Sequence, residues 1–112
     1  MIARPKRNKY NAKRTEVDGR VFDSKREAAV YLELKDRRLA GEIVGDIEFQ
    51  PEFPLVINGI KITKRPYRAD FRFVDATGAT RILDVKGVDT REGKLRRKLA
   101  ESIHGVTIEV VK

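Results

Sequence analysis

The chain of 112 residues has no cysteine and a single histidine, His104. Disulfides and thiolate metal sites are therefore excluded, and one imidazole does not build a zinc site. No apolar run approaches the length of a membrane span or of a signal-peptide core, so the expected address is the cytoplasm, with no membrane partner. Acids are also in the minority, 17 against 25 lysines and arginines, which leaves a formal net charge of +8. That surplus points to a polyanion, nucleic acid first, because neutralising phosphates releases counterions. A basic protein that is merely soluble has the same composition. The length suits one domain with its own core.

The cationic excess begins at once. Residues 1–15 carry Arg4, Lys6, Arg7, Lys9, Lys13 and Arg14 with no acid and hardly an apolar side chain. Such a block reads as a flexible arm that follows phosphates, a solvated tail being the plainer alternative. Residues 16–112 read as a single folded domain.

Turn and cap signals divide that domain. Asp18-Gly19 centres a small hairpin over residues 16–22. A helix is predicted from Ser24 to Leu39, with Gly41 just beyond its end and an apolar stripe of Ala28, Tyr31, Leu32, Leu34 and Leu39. Ser24 and Glu27 fit a capping box, yet Glu27 also lies one and two turns before Tyr31 and Leu34, where it can point to a sheet. Residues 42–48 read as a connection that ends in a short strand at Ile47–Phe49, and Pro51 and Pro54 confine the next segment to an edge. Asn58-Gly59 marks a second hairpin. A second helix is predicted over 89–104, with Leu95, Leu99 and Ile103 inward and Gly105 as its stop, followed by a strand over 106–111. Helix, several antiparallel strands, helix, strand gives a small α/β sandwich, a mixed central sheet flanked by helices.

The stretch from Tyr67 to Gly87 carries the chemistry. Period-two alternation on both sides of the turn Asp75-Ala76-Thr77-Gly78 predicts two strands. Tyr67, Ala69, Phe71 and Phe73 should share one face of the first, and Ile82, Asp84 and Lys86 one face of the second. Asp84 thus stands in the apolar run Ile82-Leu83-Asp84-Val85, where an unpaired carboxylate is expensive to desolvate. A divalent cation would compensate it, since Mg²⁺ takes a few carboxylate oxygens together with water and phosphate. Asp70 and Asp84 on neighbouring strands can reach one ion, and Lys86 projects from the face of Asp84. Between Phe53 and Val74 Asp70 is the only acid, amid Lys61, Lys64, Arg65, Arg68 and Arg72. Taken alone, Asp70 would read as the ion-pair partner of Arg68 or Arg72.

Asp70 followed by Asp84-Val85-Lys86 resembles the D…(D/E)-x-K signature of the PD-(D/E)XK nuclease superfamily, with Ala69 where the family name has proline. The segments K-Y-N-A-K-R at 9–14, V-F-D-S-K-R-E-A at 21–28 and Q-P-E-F at 50–53 are similar to those of small phage- and prophage-type endonucleases in that superfamily. The resemblance implies a restriction-endonuclease-like αβββαβ core and a metal-dependent DNA endonuclease in which a metal-activated water hydrolyses the phosphodiester. It further implies Asp70 and Asp84 as ligands of Mg²⁺, with Mn²⁺ substituting, Lys86 positioning the water, and Glu27 as a third ligand or water-orienting group. Gln50 resembles a glutamine near the active sites of some relatives. By the same analogy the substrate is branched DNA, such as a Holliday junction, and the enzyme a homodimer.

The surfaces expected to hold DNA are the arm, the run with Lys64, Arg65, Arg68 and Arg72, and the band Lys94, Arg97 and Lys98 on the second helix. The rivals are a non-catalytic DNA- or RNA-binding module and an accessory subunit of a phage recombination or packaging complex. An RNA substrate stays open as well.

Overall fold

The computed structural model describes residues 14–112. The arm residues Arg4, Lys6, Arg7, Lys9 and Lys13 lie outside the described residues, and so does the expected arm itself up to residue 13. No helix among the described residues is long and apolar enough to cross a membrane.

The chain opens with the hairpin β1 (Thr15–Val17) and β2 (Arg20–Phe22), turned by Asp18 and Gly19 in left-handed conformation. Helix α1 (Lys25–Leu39) follows, and the Ser24 hydroxyl accepts from the Glu27 N–H at 3.0 Å. Its end is a Schellman closure: Gly41, at φ +82°, and Glu42 return their N–H groups to the carbonyls of Arg38 and Arg37. The inward stripe is Glu27, Ala28, Val30 and Leu34, with Tyr31 packed beside it. Leu32 and Leu39, expected inside, are 44% and 82% exposed. The true stripe is phased on Glu27, Val30, Tyr31 and Leu34, at i, i+3, i+4 and i+7.

Strand β3 (Ile43–Phe49) occupies most of the segment read as a connection. Gly45, at φ +77°, lies where its register against the neighbouring strand shifts, and the bulge breaks the period-two pattern that would have announced a strand. β4 (Glu52–Phe53) pairs with β7 (Tyr67–Arg68), and between them β5 (Val56–Ile57) and β6 (Ile60–Lys61) pair only with each other. β8 (Phe71–Asp75) and β9 (Thr80–Val85) then join through a turn in which Asp75 Oδ1 accepts from Thr77 and Ala79. Helix α2 (Arg91–His104), capped by Thr90 and stopped by left-handed Gly105, leads to β10 (Ile108–Val111).

The central sheet has the order β10-β9-β8-β3. β9 runs parallel to β10 and the other neighbours are antiparallel, so the sheet is mixed as expected. Alternate residues of β9 serve two cores: Leu83 packs with Phe71, Phe73 and α1, whereas Ile82 packs with Tyr67, Ala69, Ile108 and Ala100 of α2. The helices therefore lie on opposite faces. Two expectations shift here. Leu95 is 59% exposed, and the inward positions of α2 are Leu99, Ala100 and Ile103. Tyr67 and Ala69 do not share a core with Phe71 and Phe73, because the predicted first strand breaks at Asp70 into β7 and β8.

Candidate functional site

That break brings the acids together. The Ala69 N–H turns to the Pro51 carbonyl at 3.1 Å, and the next N–H, that of Asp70, turns to the Leu83 carbonyl at 2.9 Å. Asp70 thus stands where the chain passes from β7 to β8. Phe71 pairs with Leu83, and just past that pair the Asp70 carboxylate turns back to β9, between the Leu83 carbonyl and the Val85 N–H, where it meets Asp84. Like charges brought this close disfavour each other's ionised form unless something compensates them.

Asp84 is 3% exposed and accepts from the Tyr67 hydroxyl. The Lys86 ammonium stands 3.4 Å from the same oxygen. Asp70 Oδ2 accepts from the Val85 N–H at 2.6 Å. Glu27, buried on α1, completes the group from the other side of the sheet end. Its side chain is turned toward the sheet acids, so only the serine half of the capping box forms.

The electrostatics follow from this crowding. Burial, then the charges of Glu27 and Asp84, push the Asp70 carboxyl up to about 8, against the pull of the Val85 N–H. Burial, then Asp23 and Asp84, raise Glu27 to about 7, with Arg68 opposing. Burial and the Asp84 carboxylate hold the Tyr67 phenol well above its usual value. Asp84, Asp70 and Glu27 are an all-oxygen donor set of the kind hard divalent cations take. As the side chains stand, no group of three or more His, Cys, Asp or Glu among the described residues is arranged to hold a metal ion. The Tyr67 hydroxyl and the Val85 N–H already occupy one oxygen each of Asp84 and Asp70.

Beside the acids opens a cleft of about 520 Å³, lined by Tyr67 and Lys86 and by Arg65, Arg68 and Arg96, with Glu52 as its acid. Arg96 donates to the carbonyls of Arg65 and Pro66 at 3.2 and 3.1 Å, which ties α2 to the segment that leads into β7.

A family model, "Protein of unknown function (DUF1064)", matches residues 7–107. The chain belongs to the DUF1064 family. The match spans Glu27, Asp70, Asp84 and Lys86, and the family description names no activity. No curated protein and no solved structure matches the chain.

In this DUF1064 chain the predicted cations fall into two groups. Arg14, Lys64, Arg65, Arg68, Lys94 and Lys98 are exposed. Arg72 is held in a two-pronged pair by Glu48 at 2.6 and 2.7 Å, and Arg97 by Asp89 at 3.0 and 2.9 Å. With the Arg97 and Asp89 side chains only 12% and 13% exposed and Arg97 facing the Tyr67 hydroxyl, that pair braces the site from behind. Gln50 is exposed, sits at φ +51°, and gives its N–H to the Asp70 carbonyl at 2.9 Å. It contributes backbone to the site.

Two residues that shape this candidate site are not marked by the sequence pattern. Tyr67 counts there as core, although a buried phenol needs a partner and an acid three residues away offers the hint. Arg96 looks like one more member of a basic band.

Proposed function

We propose that the chain is a metal-dependent DNA endonuclease. What carries the reading is the pair Asp70 and Asp84, brought together at a sheet end, with Glu27 close by and the Lys86 ammonium 3.4 Å from Asp84. The three crowded carboxylates, with Lys86 beside Asp84 and Arg68 acting on Glu27, disfavour one another's ionised form, and a bound divalent cation would relieve that repulsion. The D…(D/E)-x-K resemblance supports the same assignment.

Asp70 and Asp84 would hold Mg²⁺ or Mn²⁺, with Glu27 as a further ligand or as the group that orients water. The ion would neutralise charge on the scissile phosphate and lower the pKa of a coordinated water. Lys86 stabilises the negative charge that develops at phosphorus and positions the attacking water. Tyr67 gives Asp84 a neutral donor and fixes its rotamer. Arg65, Arg68 and Arg96 line the cleft next to Lys86 and hold the neighbouring phosphates. One chain cuts one strand, so cleavage of both takes two copies.

One observation favours a second reading. Tyr67 and Lys86 already satisfy Asp84, as in a binding module whose acids are structural. Nicking of supercoiled plasmid separates the two readings. The nuclease reading expects nicking in Mg²⁺ that stops in EDTA and falls about 10²–10³-fold in Lys86→Ala. Plasmid binding without nicking under every metal condition would support the binding module.

A further inference from the structure

The hairpin of β5 and β6 presents an apolar tip that the core does not use. Ile57 and Ile60 pair across the strands beside the Asn58-Gly59 turn. They are 40% and 65% exposed, and Ile62 behind them is 46% exposed. Alternation along the hairpin puts Leu55, Ile57, Ile60 and Ile62 on one face. That strip is buried at its root, where Leu55 enters the core of α2, and bare at its end.

A hairpin with strands of two residues is not stable alone in water. This one is held at its base. The Ile62 N–H meets the Leu55 carbonyl at 2.8 Å, His104 Nε2 lies 2.7 Å from the Pro54 carbonyl, and Arg96 clamps Arg65 and Pro66. The same segment ends at Tyr67, the donor to Asp84. From Gly59 to Tyr67 eight residues span at most about 27 Å, so the tip reaches within about eight base steps of the acids.

Single exposed apolar residues are ordinary, but three on one face of a rigidly rooted hairpin form a patch with a partner to find. Its charge surroundings choose that partner. Lys61, Lys64 and Arg65 flank the tip, and the arginines of the cleft follow. A symmetric contact with a second copy would set those cations against their own counterparts. A polyanion with apolar faces between its charges suits both features, and in duplex nucleic acid those faces are the stacked bases.

We propose that the β5–β6 hairpin is a wedge that enters a base step of duplex DNA within about eight steps of the bond to be cut. It therefore favours duplexes in which a step is already weak, at a nick, a mismatch or a branch. The inference rests on the nuclease reading for the words "to be cut" alone; the insertion itself needs no chemistry. Unstacking a step costs free energy, least where the base is already unpaired, and that difference sets the preference.

The test uses the full chain and duplexes that carry 2-aminopurine, whose fluorescence is quenched by stacking, at a branch point or within continuous helix. EDTA is present, so that no cutting intervenes. Binding by the wild type should raise the fluorescence several-fold at the branch. The Ile57→Ser/Ile60→Ser double variant should lose most of that rise, and Ile60→Leu should keep it. Both positions are solvent-exposed, and a melting curve reports whether the variants fold. An equal rise in the double variant, or none in the wild type, overturns the wedge. So does light scattering in which the serine pair turns a dimer into a monomer with the fluorescence unchanged, since the tip would then be a contact between copies. A rise that persists without any cleavage in Mg²⁺ upholds the wedge and removes the nuclease reading; cleavage without a rise does the reverse.

Discussion

The Tyr67 hydroxyl donates to Asp84 Oδ2 across 17 residues of sequence, joining the short strand β7 to the central strand β9 inside the fold. Tyr67 is 4% exposed and Asp84 3%, so this bond is made where water cannot replace it. Tyr67→Phe keeps the ring and leaves the carboxylate without its donor. The expected cost in EDTA is about 1–3 kcal/mol, read as a lower denaturant midpoint. Mg²⁺ should recover more stability in the variant than in the wild type, because the ion then supplies the missing compensation. An unchanged midpoint would remove Tyr67 from the account.

The crowding of Glu27 and Asp70 gives the metal-free protein an unusual dependence on pH. Their ordinary values are 4.5 and 3.8, and in the fold they rise to about 7 and about 8. Between those limits the folded chain holds protons that the unfolded chain has released, so stability falls as pH rises. The stabilisation is full below about pH 4 and is lost as pH passes through 7 to 8. Urea midpoints in EDTA at about pH 5.5 and about pH 8.5 should differ in that sense, and Asp70→Asn should flatten the difference. A midpoint that rises with pH would contradict the assignment.

The basic residues of α2 divide into braces and contacts. Asp89→Ala frees Arg97 behind Tyr67, and it should lower the melting temperature more than Lys94→Ala and Lys98→Ala together. The lysine pair should instead reduce the slope of log affinity for DNA against log salt by about 2, one for each lost phosphate contact. The reverse ordering would place Arg97 on the DNA surface and the lysines in the fold.

Arg96 links the cleft to the hairpin through the carbonyls of Arg65 and Pro66. Arg96→Met keeps most of the side-chain bulk and removes both bonds. Hydrogen exchange should quicken at Ile62, whose N–H closes the hairpin, and stay unchanged at Leu83 in the central sheet. Equal protection at Ile62 in wild type and variant would show that the hairpin stands without the clamp.

Local chemistry wrote much of this fold into the sequence. Asp18-Gly19 and Asn58-Gly59 announce their turns because few other residue pairs accept left-handed backbone at so little cost. Ser24, Gly41 and Gly105 bound the helices for similar reasons. Phase was harder to read. Leu32, Leu39 and Leu95 count as core by spacing, yet a helix of mixed composition offers several stripes and packing selects one of them. β3 is hidden by its own bulge at Gly45. Nothing local marks the break at Asp70, since it comes from a change of partners, β4 for β7 and β9 for β8. Asp84 was legible as a buried acid in an apolar run. The inward turn of Glu27, the partner of Tyr67, and the pairing of Arg72 with Glu48 and of Arg97 with Asp89 depend on residues 8 to 57 positions away, so spacing alone carries no trace of them.

Mn²⁺ binding by calorimetry and cleavage of end-labelled duplex, followed on the same samples with wild type beside Asp84→Asn, decide whether the acids form a metal centre that cuts DNA. The wild type should bind the ion and cut when Mg²⁺ or Mn²⁺ is added, and both properties should disappear together in the variant while its fold persists. A wild type that binds DNA but neither takes up Mn²⁺ nor cuts, or an Asp84→Asn chain that cuts as well as the wild type, would contradict it.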